Sequence, residues 1–240
     1  MIKRVFPQII DFGSKAPEKY RSNFRNLYAD VAWFGILNGS TIAFLPIYVT
    51  RLGAEPGSVG ILTAAPAIVA LFISLPLGVW FSRKNTSRAV FLTAVASRIF
   101  YLFLCIYPWI FPQSQPQIVT ILLSVFIMSI PGTALNLGFN ALLGEAVPIE
   151  WRGQVAGIRG AFIALATAVS SLACGWILNH IDFPIGYQVV FLIGFIGAAM
   201  STYALWKVRP FPEDLVADTT VKDPQSHWIK RMVNLDILKG

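Results

Sequence analysis

Charged and polar side chains that could bind a solute stand inside the apolar runs of this sequence. Arg98 lies ten residues after Arg88, which is about 15 Å along a helix. A guanidinium at that depth in an apolar phase costs about 2.5–3.5 kcal/mol on insertion scales, so it needs a compensating role. Its functional role would be contact with an anionic solute or participation in ion coupling. The structural alternative is a buried pair with Asp30 or with an amide such as that of Asn136.

Three asparagines are also candidates for a solute-binding cavity. Asn38, Asn136 and Asn140 each interrupt an apolar segment. Their amides could line a polar cavity, or they could hold neighbouring helices together by hydrogen bonds. The sequence leaves both interpretations open.

The patterns of common enzyme and metal sites are missing from the sequence. It has no phosphate-binding glycine–lysine loop, no HExxH or GxSxG motif and no constellation of paired carboxylates. The two cysteines, Cys105 and Cys174, lie in apolar stretches, where free cysteine packs as a small hydrophobic side chain. We therefore expect no enzymatic activity, no cofactor and no metal site.

The composition indicates which elements must position these polar residues. Of 240 residues, 55% are hydrophobic and 13% are charged, and the mean hydropathy is +0.63. A soluble domain has roughly 25% charged residues, so a water-soluble globular protein is excluded, and so is a disordered chain. The elements must be membrane-spanning helices, because a single strand would leave its amides unpaired in lipid.

Six apolar runs reach the length of about 20 residues that a helix needs to cross a bilayer. The predicted spans cover residues 28–49, 57–80, 88–110, 117–143, 153–178 and 185–206. The predicted fold class is an all-α membrane protein in which six transmembrane helices form one bundle.

Small residues recur along the fifth predicted span at intervals of three or four, among them Gly153, Gly157, Gly160 and Gly175. Such a stripe lets another helix approach closely. We expect it to serve packing within the bundle, with an oligomer contact as the alternative.

The distribution of basic residues predicts the orientation of the spans. Nearly all of the 19 lysines and arginines lie before the first span, in the second connection, around the fourth connection or after the sixth span. In the other connections only Arg51 is basic. Because lysine and arginine accumulate on the cytoplasmic side, we expect both termini to be cytoplasmic, in the plasma (inner) membrane. The net charge of +7 then reflects topology, and no nucleic-acid partner is expected.

The segments outside the spans are predicted to be cytoplasmic. Residues 1–25 form a lead-in, residues 26–207 the transmembrane bundle, and residues 208–240 a polar, proline-containing linker. Within the linker, apolar residues from Trp228 to Leu235 recur at helical spacing beside basic residues. This pattern predicts an amphipathic helix that lies on the inner leaflet or packs against the bundle.

The second connection has a glycine followed by closely spaced basic residues, namely Gly78, Arg83 and Arg88. This pattern resembles the cytoplasmic loop signature of the major facilitator superfamily. Ser82 stands where that family has an acidic residue, and Asn85 where it usually has glycine. The acid that helps to latch the cytoplasmic side in the family is therefore missing here.

A second matching motif follows the fourth span. Glu145, Pro148 and Arg152 with its following glycine have the family's spacing of acid, proline and Arg-Gly. Residues 44–53, at the first outer connection, are similar to family usage as well. The resemblance covers about residues 24–207.

The resemblance implies the N-terminal half of a twelve-helix secondary transporter, in which two six-helix bundles give alternating access to a site near the membrane midplane. The implied partners are the lipid bilayer, a small-molecule solute with or without a coupling ion, and a second six-helix half in the same chain or a partner subunit. The rival hypothesis is a non-transporting membrane scaffold or assembly partner. A uniformly apolar interior would favour the scaffold, whereas a polar one around Asn38, Arg98 and Asn136 would favour transport.

The resemblance also implies a gate at the cytoplasmic side. Its predicted charge network contains Gly78, Arg83, Arg88, Glu145 and Arg152. With no acid at position 82, we expect Glu145 to pair with Arg83 or Arg152 and so hold that side closed.

The orientation can be tested with Ser14→Cys and Gln225→Cys in a background lacking Cys105 and Cys174. Because both termini are predicted to be cytoplasmic, a membrane-impermeant thiol reagent should label these sites only after cells are opened. A cysteine at Glu55, in the first outer connection, is the control and should be labelled in intact cells. Labelling of either terminal site from outside would contradict the orientation.

Overall fold

A computed structural model of the chain describes residues 18–81, 86–111 and 114–209. In this part of the chain every regular element is a helix, and all six predicted spans are present. The helices are α1 (Glu18–Arg51), α2 (Pro56–Phe81), α3 (Thr86–Ile110), α4 (Ser114–Ala146), α5 (Ile149–His180) and α6 (Ile185–Trp206). Each is long and apolar enough to cross a membrane, which confirms the predicted all-α membrane fold.

Some helices extend beyond the apolar runs that revealed them. Helix α1 begins at Glu18 and α5 at Ile149, both earlier than the apolar pattern indicates. Polar residues can continue a helix into the interface, so the end of the predicted lead-in belongs to the first turns of α1. The predicted amphipathic helix of the linker and the Arg83 loop lie outside the described residues.

Helix α1 contains a π-helical segment, Asn38–Ile42, between two α-helical stretches. Pro46 lies four residues after Ile42. Proline has no N–H to donate to the Ile42 carbonyl, and the proline ring crowds that carbonyl. The Ala43 N–H bonds back to the Asn38 carbonyl, five residues earlier. The wider turn therefore lies directly before the proline, where a regular α-helical ladder would be interrupted.

The packing of the helices has an internal symmetry. Helix α1 packs mainly on α5 and α6, helix α4 packs mainly on α2 and α3, and α3 packs on α6. This set of pairs is unchanged when α1 is exchanged with α4, α2 with α5 and α3 with α6. Two three-helix repeats of this kind are a recurring design of secondary transporters.

Two buried apolar clusters stabilise the two ends of the bundle. The first, which we call the outer cluster, contains Tyr48, Tyr187 and Phe191, whose ring centroids lie 5.1–6.2 Å apart. The second, the inner cluster, contains Leu27 and Leu142 near the opposite helix ends. Burial of such side chains stabilises a contact mainly by dispersion and shape fit in lipid, since the tails outside are equally apolar.

Close approach between α1 and its neighbours depends on glycine. A Cβ atom on Gly39 would lie 2.3 Å from the carbonyl oxygen of Thr167 in α5. A Cβ atom on Gly194 in α6 would overlap the hydroxyl of Thr41. At Gly39 the backbones of α1 and α5 are too close together for a larger residue, and at Gly194 the side chain of Thr41 occupies the space that a Cβ would need.

The small-residue stripe of α5 does not make the contact expected from the sequence. A Cβ atom on Gly153, Gly157, Gly160 or Gly175 would meet nothing within 4 Å. The face of α5 that packs on α1 is instead the one that carries Thr167. The prediction of packing within this bundle is therefore wrong for these four glycines, which are exposed. It is confirmed for Ser171 of the same stripe, whose hydroxyl donates to the Gly39 carbonyl of α1 at 3.0 Å.

Gly39→Ala is expected to destabilise the protein by about 1–3 kcal/mol, the usual cost of overpacking. Gly157→Ala, on the open stripe, is the matched control when both variants are measured in the 240-residue chain without a second bundle. It should be neutral or stabilising there, because a Cβ meets nothing within 4 Å among the described residues and alanine is the better helix former. Thermal unfolding in detergent, followed by size-exclusion chromatography, measures both. Equal stability of the two variants would contradict the α1–α5 crossing described here.

Candidate functional site

Three charged side chains meet in the interior of the bundle. Asp30 of α1 and Arg98 of α3 are 4% and 6% exposed, and Arg159 of α5 extends toward the same carboxylate. Asp30 lies between the outer and inner apolar clusters along α1, and Arg98 lies between them along α3. The structure thus contains a polar layer between two apolar ones, as a midplane site requires.

The guanidinium of Arg98 is held by two hydroxyl groups of α6. Its Nη1 donates to Oγ1 of Thr202 at 2.5 Å, and its Nη2 donates to Oγ of Ser201 at 2.8 Å. The Ser201 hydroxyl in turn donates to a carboxylate oxygen of Asp30. Asp30 and Arg98 are therefore linked through Ser201, in contrast to the direct pair that the sequence left open.

The second oxygen of Asp30 faces Arg159. The distance from Nη2 of Arg159 to Oδ2 of Asp30 is 3.6 Å, which is longer than the 2.7–2.9 Å of a charge-assisted hydrogen bond. The guanidinium lies over the ring of Phe139 in α4, 4.2 Å from its centroid. Its Nε is buried and has no hydrogen-bond partner among the described residues.

Sequence reasoning missed Arg159. Arg159 lies near the fourth connection, so it is one of the basic residues that indicate the orientation of the spans. That use of the residue says nothing about its depth in the helix. Pro148 immediately precedes α5, and Arg159 follows ten residues after Ile149. That spacing puts Arg159 about 15 Å into the helix, a depth similar to that inferred for Arg98, and is the signal that could have identified it.

The close crossing of α1 and α6 explains how Ser201 reaches Asp30. A Cβ atom on Gly197 would lie 2.9 Å from the backbone carbonyl oxygen of Trp33. Gly197 and Ser201 are four residues apart and so share a face of α6. The short serine side chain can therefore bridge the two helices only because glycine brings their backbones together.

The asparagines predicted to line a cavity have different surroundings. The amide of Asn38 donates to the hydroxyl of Thr167 at 3.4 Å, so it joins α1 to α5. Asn136 and Asn140 of α4 are exposed, and Nδ2 of Asn140 donates to the backbone carbonyl of Asn136 at 3.0 Å. The structure therefore favours helix joining for Asn38, and a cavity-lining role for Asn136 and Asn140 stays a prediction.

The residues of the predicted cytoplasmic gate are only partly brought together. Glu145 accepts a hydrogen bond from the Thr86 hydroxyl at 2.8 Å. Arg152 donates to the carbonyl oxygens of Gly144 and Val147 at 2.7 and 3.2 Å, where the C-terminal end of α4 favours a cation. The expected pairing of Glu145 with Arg152 is thus replaced by separate contacts.

The other residues of the gate are placed as follows. Gly78 is exposed near the end of α2, and Arg88 is exposed in the first turn of α3. Arg83 lies outside the described residues, so its pairing with Glu145 stays a prediction.

An unpredicted amide ties together the helix ends beside the inner cluster. Nδ2 of Asn23 donates to the carbonyl oxygens of Arg209 and Ala146 at 2.7 and 3.3 Å. Its Oδ1 accepts from the Arg209 N–H at 3.1 Å. One side chain of α1 therefore satisfies backbone groups at the ends of α4 and α6.

Comparison with known protein families shows to which family this helical bundle belongs. A model of the Major Facilitator Superfamily matches residues 31–232. The chain belongs to the Major Facilitator Superfamily. No curated protein and no solved structure matches the chain significantly.

Membership of this family confirms the resemblance drawn from the loop motifs. The matched range includes the second and fourth connections, Arg98 and Arg159 of the polar layer, and all of α2 to α6, and it begins one residue after Asp30. The superfamily is a transporter family, so the chain is an integral membrane protein built for transport.

The Ser201 bridge can be measured as an energetic coupling. Asp30→Asn and Arg98→Gln are expected to be coupled by about 0.5–3 kcal/mol, as in other contiguous networks. The coupling should fall in a Ser201→Ala background, because only the direct attraction between the two charges then remains. It should persist in Thr202→Val, the control, because the Thr202 hydroxyl bonds Arg98 and the Ala198 carbonyl but not Asp30. Unfolding free energies in mixed micelles provide the cycles, and equal coupling in both backgrounds would contradict the bridge.

Proposed function

We propose that the chain is the N-terminal six-helix half of a secondary active transporter that moves a small solute by alternating access. The observation that carries this proposal is the polar layer of Asp30, Arg98 and Arg159 in a superfamily bundle. Buried charges in membrane helices are costly and mark solute or ion pathways. The polar side chains in the interior of the described helices favour a transporter over a scaffold, for which an apolar interior is expected.

The proposed domain organisation follows the topology of the bundle. Residues 26–207 would be the transporting unit, with a cytoplasmic lead-in before it and the cytoplasmic linker of residues 208–240 after it. Arg209 is tied to Asn23 of α1, so the chain leaves the bundle beside the start of the first helix. Both termini would then be on the cytoplasmic side, which agrees with the distribution of lysine and arginine.

A second six-helix half would contact the exposed faces of α2 and α5. In the described structure these helices are the least buried of the six. The stripe of Gly153, Gly157 and Gly160 is open, and small residues allow close helix approach in lipid. A partner bundle, in the same chain or in another subunit, would cover this face, including the exposed Leu71, Phe72 and Leu75 of α2.

The cytoplasmic gate is part of the same proposal. Glu145 and Thr86 connect the end of α4 to the start of α3, and Arg152 fixes the start of α5 to the end of α4. These contacts support a rigid inner rim that moves as one unit when the halves rock. In the predicted charge network Arg83 would pair with Glu145 at this rim, and Arg88 would add a further positive charge beside it.

The test is solute accumulation in membrane vesicles from cells that express the protein from its complete reading frame. We expect at least one small solute to accumulate when an ion gradient is imposed, measured by mass spectrometry against vesicles without the protein. Asn140→Trp should block accumulation, because it fills the exposed polar side of α4. Leu123→Trp, at an exposed apolar position of the same helix, is the matched control and should leave accumulation unchanged.

Two results would contradict the proposal. Accumulation that is independent of any gradient would exclude secondary active transport. A protein that accumulates no solute yet purifies in a fixed complex with other membrane proteins would support the scaffold hypothesis instead.

A further inference from the structure

The polar layer carries more positive than negative charge. Among the described residues of the helix interiors, the basic side chains in this layer are Arg98 and Arg159, and the acidic one is Asp30. Two guanidiniums thus share one carboxylate. An uncompensated cation inside a bundle is costly, so the cluster is complete only when a further anion is present.

The two arginines differ in how firmly they are held. Arg98 is almost fully buried, and two hydroxyl groups bind its Nη atoms at 2.5 and 2.8 Å. The side chain of Arg159 is 17% exposed, and the nearest carboxylate oxygen lies 3.6 Å away. Its Nε has no hydrogen-bond partner among the residues that the structure describes. Arg159 therefore has an unsatisfied donor and a partly exposed side chain, whereas both Nη groups of the buried Arg98 are bonded.

The surroundings of Arg159 are suited to a ligand. The guanidinium carbon lies 4.2 Å from the ring centroid of Phe139, a cation–π contact that uses none of the N–H groups and so leaves them available for donation. Asn136 is three residues before Phe139 and so lies near the same face of α4, and its amide is exposed. A planar cation, an aromatic ring and an amide are thus brought to one side of the interior.

We infer that Arg159 binds an acidic group of the transported solute, a carboxylate or a phosphate, in competition with Asp30. This inference rests on the proposed transport function. The planar fork of a guanidinium matches both acidic groups through paired hydrogen bonds. When the solute takes Arg159, the Asp30 carboxylate keeps its link to Arg98 through Ser201, so neither partner is left with an unpaired charge. Binding of an acidic solute thus explains why the layer contains a second arginine.

Binding can be measured on the purified full chain in detergent without knowledge of the natural solute. The probes are sodium succinate and inorganic phosphate, with succinamide as a neutral analogue of succinate and sodium chloride to match ionic strength. A ligand that binds the folded state raises the unfolding temperature with concentration. We expect succinate, phosphate or both to raise it, and succinamide to have no effect. The anion that binds distinguishes a carboxylate solute from a phosphate solute.

Two variants of the pair give opposite predictions. Arg159→Gln should weaken anion binding by about ten- to a hundredfold, the effect expected when a charged hydrogen-bond donor is lost. Asp30→Asn should tighten anion binding, because the internal competitor for Arg159 is removed. A purely structural role for this pair would not produce that gain. Arg51→Gln, at the outer end of α1, is the control and should bind anions as the parent does.

Possible misfolding of Arg159→Gln is controlled with the double variant Asp30→Asn/Arg159→Gln, which removes both charges of the pair and should fold but not bind. The inference is overturned if neither anion stabilises the parent, if succinamide stabilises it equally, or if binding survives in the double variant. It is also overturned if Asp30→Asn weakens binding. Gradient-driven accumulation of only neutral or cationic solutes would refute this inference while leaving the proposed function intact.

Discussion

The carboxylate of Asp30 is the interaction on which the interior of this bundle depends. One of its oxygens accepts from Ser201 of α6, and the other faces Arg159 of α5. Through Ser201 it is connected to Arg98 of α3. A single side chain of α1 therefore ties together helices that are distant in sequence. Because water is excluded there, each of these groups depends on the others for its charge or hydrogen-bond partner.

The backbone geometry around Asp30 serves this network. Glycines let α1 lie directly against α5 and α6, so short hydroxyl side chains such as that of Ser201 can span the gap. In lipid, apolar side chains alone provide little specificity, since a helix face is equally stable against acyl chains. Close backbone approach and polar bridges are then what fix the register of α1. The π-helical segment before Pro46 adjusts the same helix where it passes Thr167.

The layered interior also explains how one bundle can be both stable and functional. The outer and inner apolar clusters hold the helix ends, while the polar layer between them includes a loosely paired cation at Arg159. A transporter needs a site that exchanges partners, and a 3.6 Å ion pair with an exposed edge can do so at lower cost than the closed Arg98 site. The rigid contacts and the exchangeable ones are thus separated in space.

The sequence by itself determined the six spans, their helical nature and the family, because the length of an apolar run and the loop motifs are local properties. It also identified Arg98 and Asp30 as unusual, since a charge in an apolar run is visible without a fold. It could not show that Ser201 stands between them, that Arg159 joins them, or that the α5 glycines face outward. Those facts depend on how each helix is rotated about its axis and how closely it approaches its neighbours. In a membrane that rotation is poorly encoded in hydrophobicity, because lipid-facing and buried faces are almost equally apolar.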